Sequence, residues 1–296
     1  MRDALEMLGL RTLAVLANAP PPAAALACGR ALGRFAFALG VRRRVCLQNL
    51  ERAFPGSEQQ VLRQQLGRAA YEHLGMLAVE FLRLPRLRAE ERRSAMDLVG
   101  AEHLQAAVAS GRGAILATAH YGNWELLGAG MVAHGFPLTL VVQRLRNPRA
   151  EALVGAVRTA VGERAIERGM GLRRLRSELE ANRFVAVLTD QDARRRGAFV
   201  PFFGSLASTP KGAVQLAWRL EVPLLPVLGH RLPGGRHCLT VHPPLPLRRD
   251  LPEEEVVHQT LLRFNALLEA AIRAAPSQYL WLHRRWKTPA PVAAPA

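Results

Sequence analysis

The chain has 296 residues, 49% of them hydrophobic but only 6% aromatic, with 40 Lys and Arg against 24 Asp and Glu and a formal net charge of +16. That length buries one large core or two small ones, and the surplus of cation needs an anionic partner. With few aromatics and no helix-turn-helix, zinc-finger or RNA-recognition pattern, nucleic acid is set aside in favour of an anionic membrane or an anionic small substrate. The positive charge is almost all arginine, Lys211 and Lys287 being the two lysines. Cys28, Cys46 and Cys238 are odd in number and far apart, so neither a disulfide framework nor a thiolate metal site is expected.

From the N-terminus, the first forty residues are apolar and alanine-rich, and residues 12–29 carry no charge. Pro20-Pro21-Pro22 divides them, so the reading is two short helices, 3–18 and 22–39, rather than one spanning helix. Met1 and Arg2 before an apolar run leave a cleaved signal peptide open, though Asp3 and Glu6 weaken its basic start. Arg42-Arg43-Arg44 follows at once. An apolar stretch beside a basic cluster suits a protein lying on an anionic inner leaflet. Residues 58–83 have helical spacing, with Leu62, Leu66, Ala70, His73, Leu77 and Phe81 on one face. Pro85 and the charged run 86–93 end this part.

From residue 97 the pattern alternates. Strands are predicted at 113–118, 137–143, 184–189, 223–228 and 237–242. Helices are predicted at 101–110, 124–133, 149–161, 171–181, 209–220 and 253–274. Such alternation implies an α/β fold with a mixed, mostly parallel sheet covered by helices. The expected organisation is an N-terminal helical, membrane-associating extension (1–95), an α/β domain (96–288) and a Pro/Ala-rich disordered tail (289–296).

The stretch with the most chemistry is Ala117-Thr118-Ala119-His120-Tyr121-Gly122-Asn123-Trp124-Glu125. It places His120 at the end of an apolar strand and Glu125 in the first turn of a helix capped by Asn123. A histidine oriented by a carboxylate can take a proton from a hydroxyl. A site beyond the carboxyl end of a strand is where open α/β sheets bind ligands. Asp190 ends the strand 184–189 at the same sheet edge, with Asp192 two residues on. No H-E-x-x-H, G-x-S-x-G, Walker A or G-x-G-x-x-G pattern occurs, so no metal or other cofactor is expected. Pro210-Lys211-Gly212 opens a helix whose N-terminus, with Lys211, suits a phosphate.

The His120–Glu125 pattern resembles the H-x4-D/E motif of the glycerolipid and lysophospholipid acyltransferases. Its wording is most similar to the bacterial lipid A late acyltransferases, the lauroyl and myristoyl transferases. Three more blocks resemble that family in the same order. They are Asn49-Leu50-Glu51-Arg52-Ala53-Phe54-Pro55 after a basic run, Asp190-Gln191-Asp192 leading to Val200-Pro201-Phe202-Phe203-Gly204, and Gln278-Tyr279-Leu280-Trp281-Leu282-His283-Arg284-Arg285-Trp286-Lys287.

The resemblance implies transfer of a fatty acyl chain from an acyl carrier protein, or acyl-CoA, to a hydroxyl of an anionic lipid A precursor. The work would be done at the cytoplasmic face of the cell inner membrane, by a peripheral or monotopic protein. His120 would be the general base, oriented by Glu125, with Asp190 the functional acid of its block. The resemblance also implies a substrate-binding arginine, with Arg158 first choice, Arg164 second and Arg144 third. Two alternatives stay open: acylation of another glycolipid or an aminolipid, and a non-catalytic protein that binds anionic lipid through its arginines.

Overall fold

The computed structural model describes residues 9, 12, 14, 15, 17–169 and 171–291. Most of the helix expected at 3–18, and most of the expected tail, lie outside them. Helix α1 (Pro22–Ala38) starts on its proline, whose fixed φ and missing N–H suit a first helical position. Helix α2 (Arg43–Ala53) carries the Asn49 block, and α3 (Gln60–Arg83) is the predicted long helix.

Helices α1 and α3 meet through small residues. A Cβ added at Gly29 would stand 2.6 Å from the Gly75 carbonyl oxygen, and one at Gly33 would overlap the backbone of Tyr71. Backbones this close leave no room for side chains, which is why glycine recurs there. Helix α3 is consequently buried on more than the single face its spacing predicts: Tyr71, His73, Met76 and Val79 are buried, whereas Leu62 is exposed. Among the described residues no single helix is long and apolar enough to cross a membrane. Helices α1 and α2 reach that length and composition together, but bent by 91° at their break.

The short α4 (Ala89–Ser94) and strand β1 (Met96–Val99) lead into the α/β part. There follow α5 (Ala101–Ala109), β2 (Ala114–Thr118), α6 (Trp124–Ala133), β3 (Leu138–Val142) and α7 (Pro148–Ala160). Then come β4 (Arg164–Glu167), α8 (Leu172–Glu180), β5 (Phe184–Leu188) and a hairpin of β6 (Ala198–Phe202) and β7 (Ser205–Thr209). Helix α9 (Gly212–Leu220), β8 (Leu224–Arg231), β9 (His237–Val241) and α10 (Glu253–Ala274) complete the order. All five predicted strands are present within a few residues. Lys211 is the N-cap of α9, so Pro210 stands outside the helix rather than at its first position.

The sheet has seven strands in the order β1-β9-β8-β2-β5-β3-β4, parallel throughout except for the β8–β9 pair. It is the mixed, mostly parallel sheet that the alternation implies. Alternate residues of β2 serve opposite faces. Ile115 and Ala117 pack with Val185, Val214 and Leu261 on one side, and Leu116 packs with Leu127, Met131 and Leu138 on the other.

Candidate active site

Register brings the first two site residues together. In the parallel pair β2–β5, Thr118 lies opposite Leu188, so the residues two positions on, His120 and Asp190, leave the sheet side by side. The Thr189 N–H bonds to the Thr118 carbonyl at 2.8 Å and continues the ladder past the strands. His120 Nδ1 then donates to Asp190 Oδ1 at 2.8 Å. With that nitrogen protonated, Nε2 carries the lone pair, and the Gln191 amide stands 3.3 Å from it. Asp190 is buried while the His120 side chain keeps 15% exposure, so the acid is sealed and the base reachable. Burial alone would raise the Asp190 carboxyl; the neighbouring His120 outweighs it and holds the group below its ordinary range.

Behind Asp190 stand two more buried groups. The Tyr279 hydroxyl is pushed well above its usual range, by burial first and then by the neighbouring Asp190 charge. Arg285 is 1% exposed, donating to the Ser208 carbonyl at 2.7 Å and the Thr209 hydroxyl at 2.6 Å beneath the Phe202 ring. The aromatic and basic C-terminal segment is thus packed into the protein around the site. Asp192, two residues from Asp190, serves that segment too. Its N–H donates to His283 Nε2 at 3.0 Å, and its carboxylate accepts from the Thr288 hydroxyl at 3.0 Å.

Glu125 is placed differently from expectation. Asn123 caps α6 as predicted, its Oδ1 accepting from the Leu126 N–H at 3.1 Å. Glu125 is in the first turn, but its carboxylate is taken by Arg158. The guanidinium of α7 grips both oxygens, at 2.7 and 3.1 Å, and the Trp124 indole N–H donates at 3.2 Å. Asp190, not Glu125, is the acid on the imidazole. Glu125 reaches His120 only through Trp124, whose ring stands edge-on to the imidazole at 4.9 Å between centroids. The first turn of α6 aims residue 125 at α7, while the strand register has already filled Nδ1.

Of the other predicted cations, Arg144 is exposed just beyond the carboxyl end of β3, at the same sheet edge as His120. Arg164 begins β4 at the opposite, amino end of the sheet, 62% exposed and 3.6 Å from Glu178. Lys211 is half-buried and acts on Glu253. The structure therefore brings together His120, Asp190, Glu125 and Arg158, leaves Arg144 on the rim, and places Arg164 apart.

A narrow, mostly apolar cleft opens beside this group. It runs beneath α6 across the sheet, from Val142 and Leu188 past Leu116 to Val227 and Leu239, and its polar lining is Thr118, Trp124, Glu125 and Arg158. A largely apolar groove with a few polar groups at one side is the general form of a small-molecule site. Gln191 and Tyr279 were not singled out from the sequence, although both stand inside blocks that resemble the family.

Residues 1–288 match the family model for bacterial lipid A biosynthesis acyltransferases. The chain belongs to that family. It is 29% identical over 295 residues to the lipid A biosynthesis lauroyltransferase of Escherichia coli (strain K12), covering 96% of this chain and 92% of that one. It is 26% identical to a lipid A biosynthesis acyltransferase of Haemophilus influenzae (strain ATCC 51907 / DSM 11121 / KW20 / Rd), covering 65% of this chain and 59% of the relative. A third relative, the phosphatidylinositol mannoside acyltransferase of Mycobacterium tuberculosis (strain ATCC 25618 / H37Rv), is 32% identical over 53% of this chain and 52% of its own length. The chain thus spans only half to three-fifths of the Haemophilus and mycobacterial relatives.

Proposed function

We propose that the protein is an O-acyltransferase that moves a fatty acyl chain from a thioester to a hydroxyl of a lipid A-like glycolipid. The observation that carries this reading is the His120–Asp190 pair beside an apolar slot whose polar groups gather at one side. In the proposed reaction the acyl chain lies in the slot and the thioester carbonyl reaches His120. Nε2 takes the proton of the acceptor hydroxyl as its oxygen attacks the carbonyl carbon. Asp190 stabilises the imidazolium that results, the part a carboxylate plays in a serine-protease triad. Collapse of the tetrahedral intermediate breaks the C–S bond, and the imidazolium returns its proton to the leaving thiolate. The Gln191 amide, beside Nε2, is positioned to donate to the oxyanion.

Acyl carrier protein is the proposed donor, with acyl-CoA the other thioester. Arg144 and Arg146 are exposed on the loop after β3, Arg149 in the first turn of α7, and Arg194-Arg195-Arg196 in the turn that follows β5. This basic rim favours an acidic donor and a phosphorylated acceptor. The proposed location is the cytoplasmic face of a bacterial inner membrane, held peripherally by the N-terminal helices and the arginines beside them. The test is mass spectrometry of products from purified protein, acyl thioester and a lipid A precursor. A new ester on the glycolipid is expected, absent with His120→Ala; hydrolysis alone, or no product, overturns the reading. The mycobacterial relative favours one second reading, in which the acceptor is a mannosylated phosphoinositide. The same assay with both acceptors separates the two.

A further inference from the structure

The turn that carries His120 is held from outside the α/β domain. Helix α3 presents His73 and Glu80, seven residues and so two helical turns apart, to consecutive residues of that turn. His73 Nε2 donates to the Gly122 carbonyl at 3.0 Å. Glu80 accepts from Asn123 Nδ2 at 2.6 Å. Asn123 is fully buried and has one amide to share between two demands. A carboxylate only accepts hydrogen bonds, so the NH2 must face Glu80 and the oxygen must face the Leu126 N–H. The acceptor oxygen of Glu80 thus fixes which way round the cap of α6 stands. Glu80 is itself anchored: Arg231 grips both its oxygens, one of them at 2.7 Å, and His237 Nε2 stands 3.4 Å away.

We propose that Glu80 is a positioning residue for catalysis, setting through Asn123 the first turn of α6 and with it the placement of Trp124 against His120 and of Glu125 against Arg158. Trp124 packs on the imidazole, and Glu125 with Arg158 lines the slot. A wrongly turned cap displaces groups that touch the base and the acyl end, and a misplacement of about 1 Å costs roughly 10²-fold in rate. The N-terminal helical part is then a component of the active centre as well as a neighbour of it.

The kinetic part of the test rests on the acyl-transfer reading, so a second measurement is independent of it. Glu80→Ala, Glu80→Gln, Asn123→Ala and the double variant Glu80→Ala/Asn123→Ala are assayed for kcat and KM. Amide hydrogen exchange is followed over residues 120–130. Glu80→Ala should lose roughly 10-fold to 100-fold in kcat with KM for donor and acceptor nearly unchanged. Glu80→Gln, whose amide oxygen still accepts from Asn123, should recover most of the rate. The double variant should be no slower than Asn123→Ala, and exchange should rise at Trp124–Leu127.

Wild-type kcat in Glu80→Ala, losses that multiply in the double variant, or a change confined to KM would overturn the proposal. Should Glu80→Ala not fold, Asn123→Asp decides, because it keeps a capping oxygen but cannot donate to Glu80: faster exchange at the same amides is expected, and unchanged exchange overturns the proposal. If the wild type transfers no acyl group, the functional reading fails. The positioning claim then stands or falls on exchange alone: unchanged protection at Leu126 in Glu80→Ala sinks it.

Discussion

The Nδ1 of His120 donates to Asp190, and that bond separates the two acids near it. His120→Ala should lower kcat by at least about 10²-fold, the lower end for a general base. Asp190→Asn should cost roughly 10²-fold to 10⁴-fold, because an amide partner no longer fixes the tautomer. Glu125→Gln leaves the His120–Asp190 bond intact and loosens Trp124 and Arg158 instead, so it should lose roughly 10-fold and chiefly in kcat/KM for the donor. Steady-state kinetics of the three variants decide the ranking, and equal losses at Asp190 and Glu125 would contradict it.

Glu163 gives a test without substrate. It is buried, its Oε1 has no hydrogen-bond partner, and burial first, then the charge of Glu125, push it from 4.5 up to about 8. An acid with a raised folded pKa favours the fold most at low pH. That contribution is lost as pH rises from about 4.5 through 8, because the unfolded chain ionises first. Glu163→Gln should remove the effect and stabilise the protein by roughly 2–3 kcal/mol at pH 7. Thermal melts of both proteins from pH 4.5 to 8 check it: Tm curves that stay parallel would refute the assignment.

Much of this was legible at the level of residue type and little at the level of partner. Asp190 was placed at the edge of the sheet shared with His120, yet only the β2–β5 register makes it the acid on the ring. The burial of Arg285 could not be read from its block, because it depends on acceptors contributed by Ser208 and Thr209, more than seventy positions earlier.

At the scale of elements, α6 and the sheet beneath it set the slot. Leu239 lines it at the end away from Arg158 and is buried among Leu116, Met131 and Val227. Leu239→Phe should shorten the preferred acyl chain while sparing turnover of shorter donors, at a stability cost of about 1–3 kcal/mol for overpacking. A panel of thioesters of graded length measures the preference, and an unchanged optimum would show that the chain lies elsewhere. The strongly apolar strands were readable because burial on both faces leaves continuous hydrophobic runs. The hairpin was not: Pro201 and Gly204 punctuate residues 198–209 as a loop, and Phe203 turns the chain at a φ of 49°. Strand β4 was hidden for the opposite reason. An edge strand tolerates charge, and of its four residues only Ile166 is buried.

For the whole molecule, the formal charge of +16 and the surface of the N-terminal helices act together. Leu32, Phe35, Leu39 and Val41 are exposed beside the equally exposed Arg42, Arg43 and Arg44. The protein should sediment with anionic vesicles, be only partly released by high salt, and bind less after Phe35→Glu/Leu39→Glu. Full release by salt would remove the apolar contribution from the account. The same molecule also has an order of assembly. The turn bearing His120 is tied to the C-terminal segment: Leu280 N–H bonds the His120 carbonyl at 3.0 Å, the Gly122 N–H bonds the Gln278 carbonyl at 3.0 Å, and Tyr121 bridges to Tyr279. Those partners leave the ribosome after every strand and helix named above, and chains begin to fold from the N-terminal side. A nascent chain can therefore gather its sheet while the turn bearing His120 still lacks its C-terminal partners. On the proposed function, a chain cut short before residue 278 should therefore fold its sheet yet transfer no acyl group.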